Sequence, residues 1–401
     1  MSNSVSLRRP LSILFLIVAT ELIGFGLIIP VLPQLALQFE VNKVLIGILM
    51  GAYSFAQFIA SPILGALSDR YGRKIILVIS KLGTAVAYLI MAKSESYELF
   101  LVARLFDGFT GGNIAVARAY VVDITTSENR ARGMAVIGIS FGIGFLLGPI
   151  LGGILYSDSM AYESAAWVAS GLSFCASLLT ILLLKEPKKH IVMISGLSKF
   201  KLGITSIKDP VIKLILFIYF SYMIIFSCFE TSFSVFTHYL FNYSPQQNSW
   251  LFVYAGIISL IIQGSIIRRK FKNIALVCML GILSIGIGLI GLSIANSLLV
   301  ILIMLALLSL GIGLTNTFLP ALLSLYTNIN NQGQVMGMYE GIGSLSRIIG
   351  PIIAYQWIII TPRKGYFICG LILIVVMLMI RKLQKRESQK INLSQNYLIR
   401  N

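Results

Sequence analysis

Charge is scarce in this 401-residue chain, and negative charge is the scarcest. Asp, Glu, Lys and Arg make up 12% of it, with 15 acids against 32 Lys and Arg. A soluble globular domain carries about 25% charged residues, so a water-soluble fold is excluded. Histidine occurs twice, at 190 and 238, and cysteine four times, at 175, 228, 278 and 369. Neither set has metal-ligand spacing, and the cysteines fall in apolar runs with no disulfide pattern. No GxxxxGK[ST] loop is present to cradle a nucleotide phosphate. No catalytic signature appears either. The chain is therefore expected to be no enzyme and to need no cofactor or metal.

What fills the chain instead is apolar, at 57% of residues. Runs of roughly 18 or more apolar residues recur, each long enough to cross a hydrocarbon core about 30 Å thick as a helix. Backbone groups in lipid must bond internally, and the runs lack two-residue alternation, so they are helices rather than barrel strands. Twelve spans are expected: 11–33, 45–67, 75–92, 99–121, 133–155, 165–184, 211–240, 249–267, 274–294, 298–323, 335–358 and 366–381. The first follows Arg8 and Arg9, as a signal peptide would. Its length, Glu21, Pro30 and Pro33 speak against a cleaved signal.

The net charge of +17 is explained by position. With the N-terminus in the cytoplasm, inner segments carry 24 Lys and Arg and outer segments 4, with 4 more (Lys81, Arg104, Arg118, Arg347) inside spans. The positive-inside rule then puts both termini in the cytoplasm. The excess serves topology and contact with anionic lipid, not nucleic acid. Lys81 and Arg118 are expected to snorkel to the surface without a role.

A polar stretch at 185–210 divides the chain into an N-terminal six-helix half (1–184) and a C-terminal one (211–383), followed by a polar cytoplasmic tail (384–401). "GFLLGPI" (144–150) and "SRIIGPI" (346–352) stand at matching positions of the two halves, as do "GALSDRYGRK" (65–74) and "GSIIRRKFK" (264–272). Duplication of this kind suits a transporter with its substrate site between the halves. The expected fold is an all-α membrane protein, twelve transmembrane helices in two pseudo-symmetric halves.

"GALSDRYGRK" places Asp69, Arg70, Arg73 and Lys74 between two apolar spans. Inner-side position explains Arg70 and Lys74. A carboxylate at a span end needs a partner, and Arg73, across a tight turn at Gly72, supplies one. With Asp123 at the end of span four, an acid–base–acid latch is expected, with Gly65 permitting close packing. In span five, Gly144, Gly148 and Gly152 share one face, with Gly153 beside them, and Pro149 bends the helix.

The loop "GALSDRYGRK" resembles the signature loop of the major facilitator superfamily. "RLFDGFTGG" (104–112) resembles its span-four motif, and "SFGIGFLLGPILGG" (140–153) its span-five antiporter motif. "ELIGFGLIIPVLPQLA" (21–36) and "ARAYVVDITTSENRARG" (117–133) are similar to tetracycline-efflux proteins and related drug/proton antiporters. The likeness is strongest over residues 11–186. It implies the major facilitator fold, proton-coupled export of a drug-like compound or metabolite, and a span-five seam that seals against proton leak. The tetracycline group has an acid in span three where this chain has Ala87, and a small residue in place of Asp107. These departures speak against tetracycline itself.

Ionisable groups in lipid cost about 2.5–3.5 kcal/mol at a helix centre, so they point to function. Glu21 lies near mid-depth of its span. The resemblance makes Glu21 and Arg104 the coupling pair. Asp107, one turn beyond Arg104, neutralises it or takes part. Glu230, Glu340 and Arg347 complete the expected proton-coupling and substrate cavity. Glu340 and Arg347 lie about 10 Å apart on one helix face, which suits a polar or charged solute. Protons, a small-molecule substrate and membrane lipid are the expected partners of a monomer in a bacterial inner membrane. Three alternatives stand beside this: export of a siderophore or other carboxylate-bearing metabolite, proton-coupled uptake, and a non-transporting sensor.

Overall fold

The computed structural model describes residues 4–28, 43–155, 163–187, 209–243, 245–269, 273–328, 331–354 and 363–381, with single positions 271, 356 and 361. The end of the first span, most of the 185–210 stretch with His190, and the tail lie outside the described residues. So do the surroundings of Pro149, Gly152 and Gly153.

The described residues form helices and no strand. They are α1 Ser4–Ile28, α2 Lys43–Tyr71, α3 Arg73–Ala92, α4 Tyr97–Thr110, α5 Asn113–Ile124, α6 Arg130–Leu155 and α7 Glu163–Leu183. Then follow α8 Pro210–Phe241, α9 Pro245–Ile267, α10 Ile274–Ser293, α11 Leu298–Tyr326 and α12 Gln332–Ile353, with α13 Arg363–Arg381 last. Among the described residues, ten spans are long and apolar enough to cross a membrane, α4 and α5 counting as one. The other two expected spans fall on α2 and α12, which lie outside that set. α12 carries Glu340 and Arg347, so part of its apolar length is replaced by the polar groups described below.

Caps fix the helix limits. The Ser96 hydroxyl accepts from the Leu99 N–H at 3.2 Å, and the Asn273 side chain from Leu276 N–H at 2.8 Å. Asp209 caps α8 with Pro210 in its first turn, where the missing N–H has no partner to lose. Gly72, at φ +102°, is the one-residue turn between α2 and α3, a conformation that glycine enters without steric cost.

The chain divides into two compact units. The first comprises Met1–Thr126, Val136–Ser206 and Thr327–Ile348, and so includes most of α12. The second comprises Ser127–Ala135, Ile207–Tyr326 and Ile349–Asn401. In the first, Leu27, Leu49, Tyr88, Phe100 and Ala166 belong to a core drawn from α1, α2, α3, α4 and α7. In the second, α10 and α11 meet through glycine: a Cβ on Gly311 would lie 2.5 Å from the Gly281 carbonyl. Tyr366 of α13 packs on Phe229 and Phe236 and shares a 3.0 Å hydrogen bond with Ser232. Outward-facing Phe55, Ile79, Leu182 and Leu299 are exposed, as lipid-facing side chains of a spanning bundle would be.

Candidate functional site

The site lies in the first unit and begins with a break. Span four ends its first helix at Thr110 and restarts at Asn113, after Gly111 and Gly112. Such a break at membrane depth is tolerated only where the freed backbone groups find protein partners. Ser80 donates to the Thr110 carbonyl, and Gln57 Nε2 donates to the Gly111 carbonyl at 3.0 Å. A Cβ on Gly111 would sit 2.6 Å from Tyr53 Oη and 2.9 Å from Glu21 Oε1. The glycine therefore lets the broken helix meet these side chains.

Glu21 is 1% exposed on α1. Its Oε2 accepts from Lys81 Nζ at 2.9 Å and from Asn113 Nδ2 at 2.9 Å. Arg104 pairs with Asp107 one turn along α4, Nη1 to Oδ2 at 3.5 Å. Its guanidinium also lies 5.1 Å from the Tyr53 ring centre and 5.7 Å from that of Phe25, within cation–π range. Arg118 of α5 forms an ion pair with Glu340 of α12 and lies 5.3 Å from the Tyr339 ring centre. Arg347 donates from Nη2 to Gln57 Oε1 at 2.9 Å and to Ser344 Oγ at 3.2 Å. Ser344 donates to the same Gln57 oxygen at 2.7 Å.

The latch residues are also assembled. Arg73 reaches Asp69 Oδ1 at 2.6 Å and Asp123 Oδ2 at 2.8 Å. Asp69 in addition accepts the backbone N–H groups of Gly333 (3.1 Å) and Gln334 (2.9 Å), which open α12. A carboxylate there satisfies N–H groups that have no partner within their own helix, and it sits at the positive end of the helix dipole. The same logic applies to Glu186, whose oxygens accept from the N–H groups of Arg73 and Lys74 at the start of α3 (2.6 and 2.8 Å). Lys74 in turn donates to the Ile181 carbonyl near the end of α7 (2.7 Å). Arg70 is exposed and rests on the Tyr71 ring. A Cβ on Gly65 would strike the Gly333 carbonyl, so α2 and α12 touch backbone to backbone.

Several placements differ from the sequence expectation. The hydrogen-bond partners of Glu21 are Lys81 and Asn113, and those two residues were not expected to meet it. Neither Lys81 nor Arg118 snorkels; they are 0% and 4% exposed and each meets an acid. Lys81 lies eight residues into α3, about 12 Å along the axis, beyond easy reach of the helix end. Glu340 and Arg347 share a helix but take different partners. Glu230 is exposed on α8 and belongs to the second unit. The sequence reading missed Tyr53, Gln57, Asn113 and Glu186. The paired glycines in mid-span were a signal for Asn113; the others have only three-dimensional neighbours to mark them. In span five, a Cβ on Gly144 would strike Leu22, and one on Gly148 would lie 2.7 Å from Gly26 Cα. That glycine face packs directly beside the Glu21 turn of α1. Among the described residues, no cluster of three or more His, Cys, Asp or Glu is arranged to hold a metal ion.

A family model described as Major Facilitator Superfamily matches residues 14–351. The mouse Major facilitator superfamily domain-containing protein 10 is 28% identical, covering 94% of this chain and 93% of that protein. The class H tetracycline resistance protein of Pasteurella multocida is 28% identical, covering 86% and 88%. The crystal structure of the human organic anion transporter MFSD10 (TETRAN) superposes with a TM-score of 0.82 at 25% identity, covering 93% of this chain and 99% of that one.

Proposed function

The chain belongs to the Major Facilitator Superfamily, a family of multi-pass membrane transporters rather than enzymes, and on that premise we propose that it is a proton-coupled secondary transporter exporting a small organic molecule. The reading rests on one observation above the others. Glu21 is a buried carboxylate held by a buried ammonium and an amide, at a break in a membrane helix. A proton arriving at Glu21 removes its negative charge and with it the attraction to Lys81. Glu21 and Lys81 then have a different balance of forces in each protonation state, as a bistable element requires. Each charge moved through the membrane potential contributes about 2.3 kcal/mol per 100 mV, so one or two protons suffice to drive a steep gradient.

Arg104 and Asp107 form the adjoining member of the coupling site. The latch of Asp69, Arg73 and Asp123 holds α12 on the cytoplasmic side and releases it when that side opens, with Arg70, Gly72 and Lys74 shaping the turn. The glycine seam of α6 against α1 excludes water beside Glu21, which suits antiport. Efflux relatives such as the tetracycline resistance proteins support export over uptake.

Reconstitution in proteoliposomes with an imposed pH gradient tests the proposal. Solute flux opposite to protons is expected from the wild-type protein, and its loss is expected in Glu21→Gln. Flux in the same direction as protons supports uptake. Full gradient-driven activity in Glu21→Gln rejects the coupling role.

A further inference from the structure

We propose that Arg347 anchors an anionic group of the cargo, so that the site takes carboxylate-bearing solutes in preference to their uncharged analogues. The inference rests on the reading of the first unit as a transport site and names its substrate class.

The interior charges of that unit do not balance. Among its described residues, and leaving aside the latch and helix ends, the cations are Lys81, Arg104, Arg118 and Arg347, and the carboxylates are Glu21, Asp107 and Glu340. Three pairs account for all the acids: Lys81 with Glu21, Arg104 with Asp107, and Arg118 with Glu340. Arg347 is left with neutral partners, the Gln57 amide oxygen and the Ser344 hydroxyl. Its nearest acid along the helix, Glu340, is already committed to Arg118.

Arg347 also differs in exposure. Lys81, Arg104 and Arg118 are buried, whereas Arg347 is half-buried. Both of its hydrogen bonds leave from Nη2, and among the described residues Nε and Nη1 have no partner. A guanidinium has five N–H donors in a planar fork that matches a carboxylate, so most of its binding capacity remains. An unbalanced guanidinium at membrane depth is costly. An anion from the cargo would neutralise it and fill the fork, whereas a cation would add to the imbalance. Gln57 bears on Arg347 through Oε1 and on the Gly111 carbonyl through Nε2. The subsite is thus one amide side chain from the break that holds Glu21.

The test is equilibrium binding to the full-length purified protein, without a gradient, using benzoate, glutarate and p-aminohippurate, each paired with its uncharged amide. Wild-type protein is expected to prefer the carboxylates. Arg347→Gln should weaken carboxylate binding about 10- to 100-fold while leaving the amides unchanged, which is the scale of a charge-assisted hydrogen-bonded pair. Arg347→Lys should retain part of the preference. Should Arg347→Gln fail to fold, the isosteric Gln57→Glu supplies an internal carboxylate to Arg347 and should erase the preference in the same way. No carboxylate preference in the wild type, or a preference unchanged in these variants, overturns the proposal. Carboxylate-selective binding in a protein that shows no gradient-driven flux keeps the anion site and rejects the exporter reading. Gradient-driven flux without charge preference does the reverse.

Discussion

At the scale of single residues, the site holds buried ion pairs, two of which, Lys81 with Glu21 and Arg118 with Glu340, join distant parts of the chain. Glu21 and Lys81 are 60 positions apart and meet at 2.9 Å. Removing one member of a buried pair leaves the other without compensation, at a cost of about 3–5 kcal/mol, whereas removing both is often nearly neutral. Glu21→Gln and Lys81→Met are therefore each expected to lower the thermal stability of the purified protein by that order. The double variant should regain most of it. Gradient-driven transport should stay absent wherever Glu21 is lost. Thermal unfolding read beside proteoliposome flux separates the two roles; additive stability losses in the double variant reject the coupling of this pair. Asp69 has a different task, because its oxygens accept from Arg73 and from two backbone N–H groups of α12. Asp69→Asn keeps the shape but loses the charge, weakening the latch by about 2–3 kcal/mol, the scale of charge-assisted hydrogen bonds. Altered single-turnover kinetics are expected, and unchanged kinetics reject the latch.

Between elements, approach distance decides what can form. The α2–α12 contact depends on glycine at 65, 333 and 337, each facing backbone of the other helix. The two Asp69 bonds to the α12 N-terminus are made across this contact. Gly65→Ala would insert a methyl group into the Gly333 carbonyl and force the helices apart. The expected result is loss of the latch bonds and a destabilisation of about 1–3 kcal/mol, as for overpacked interiors. Melting temperature checks it, with Ala66→Gly as a neighbouring control that adds no volume. The break between α4 and α5 follows the same rule. Two adjacent glycines end one helix where Glu21 and Tyr53 need the space, and Ser80 and Gln57 take up the freed carbonyls.

For the whole molecule, the membrane-spanning helices and the family assignment imply a transporter that exposes its site to one side at a time. A cysteine placed next to Arg347 by Ile348→Cys, where the side chain is half-buried rather than enclosed, in a Cys175→Ser background, should react with impermeant thiol reagents from opposite faces as pH and ligand are changed. Cys175 is the exposed native cysteine, and the other three are buried, which keeps the background labelling low. Reaction from a single face under every condition rejects alternating access.

The amino-acid sequence by itself determined the solvent, because a chain with so few charges and such long apolar runs has only helices in lipid as a stable answer. It also determined most described helix positions to within a few residues, though not the break at Gly111 and Gly112, and with them the turn at Gly72 and the local pairing of Asp69 with Arg73. These depend on composition, on helical periodicity and on neighbours within one turn, all of which a linear reading contains. Tertiary structure alone decided who neutralises whom: Lys81 with Glu21, Arg118 with Glu340, Asp69 with the start of α12, and Arg347 with no acid among the described residues. Such pairings depend on which helix faces meet, and that is settled by close packing at glycine contacts far apart in the chain, not by spacing along it.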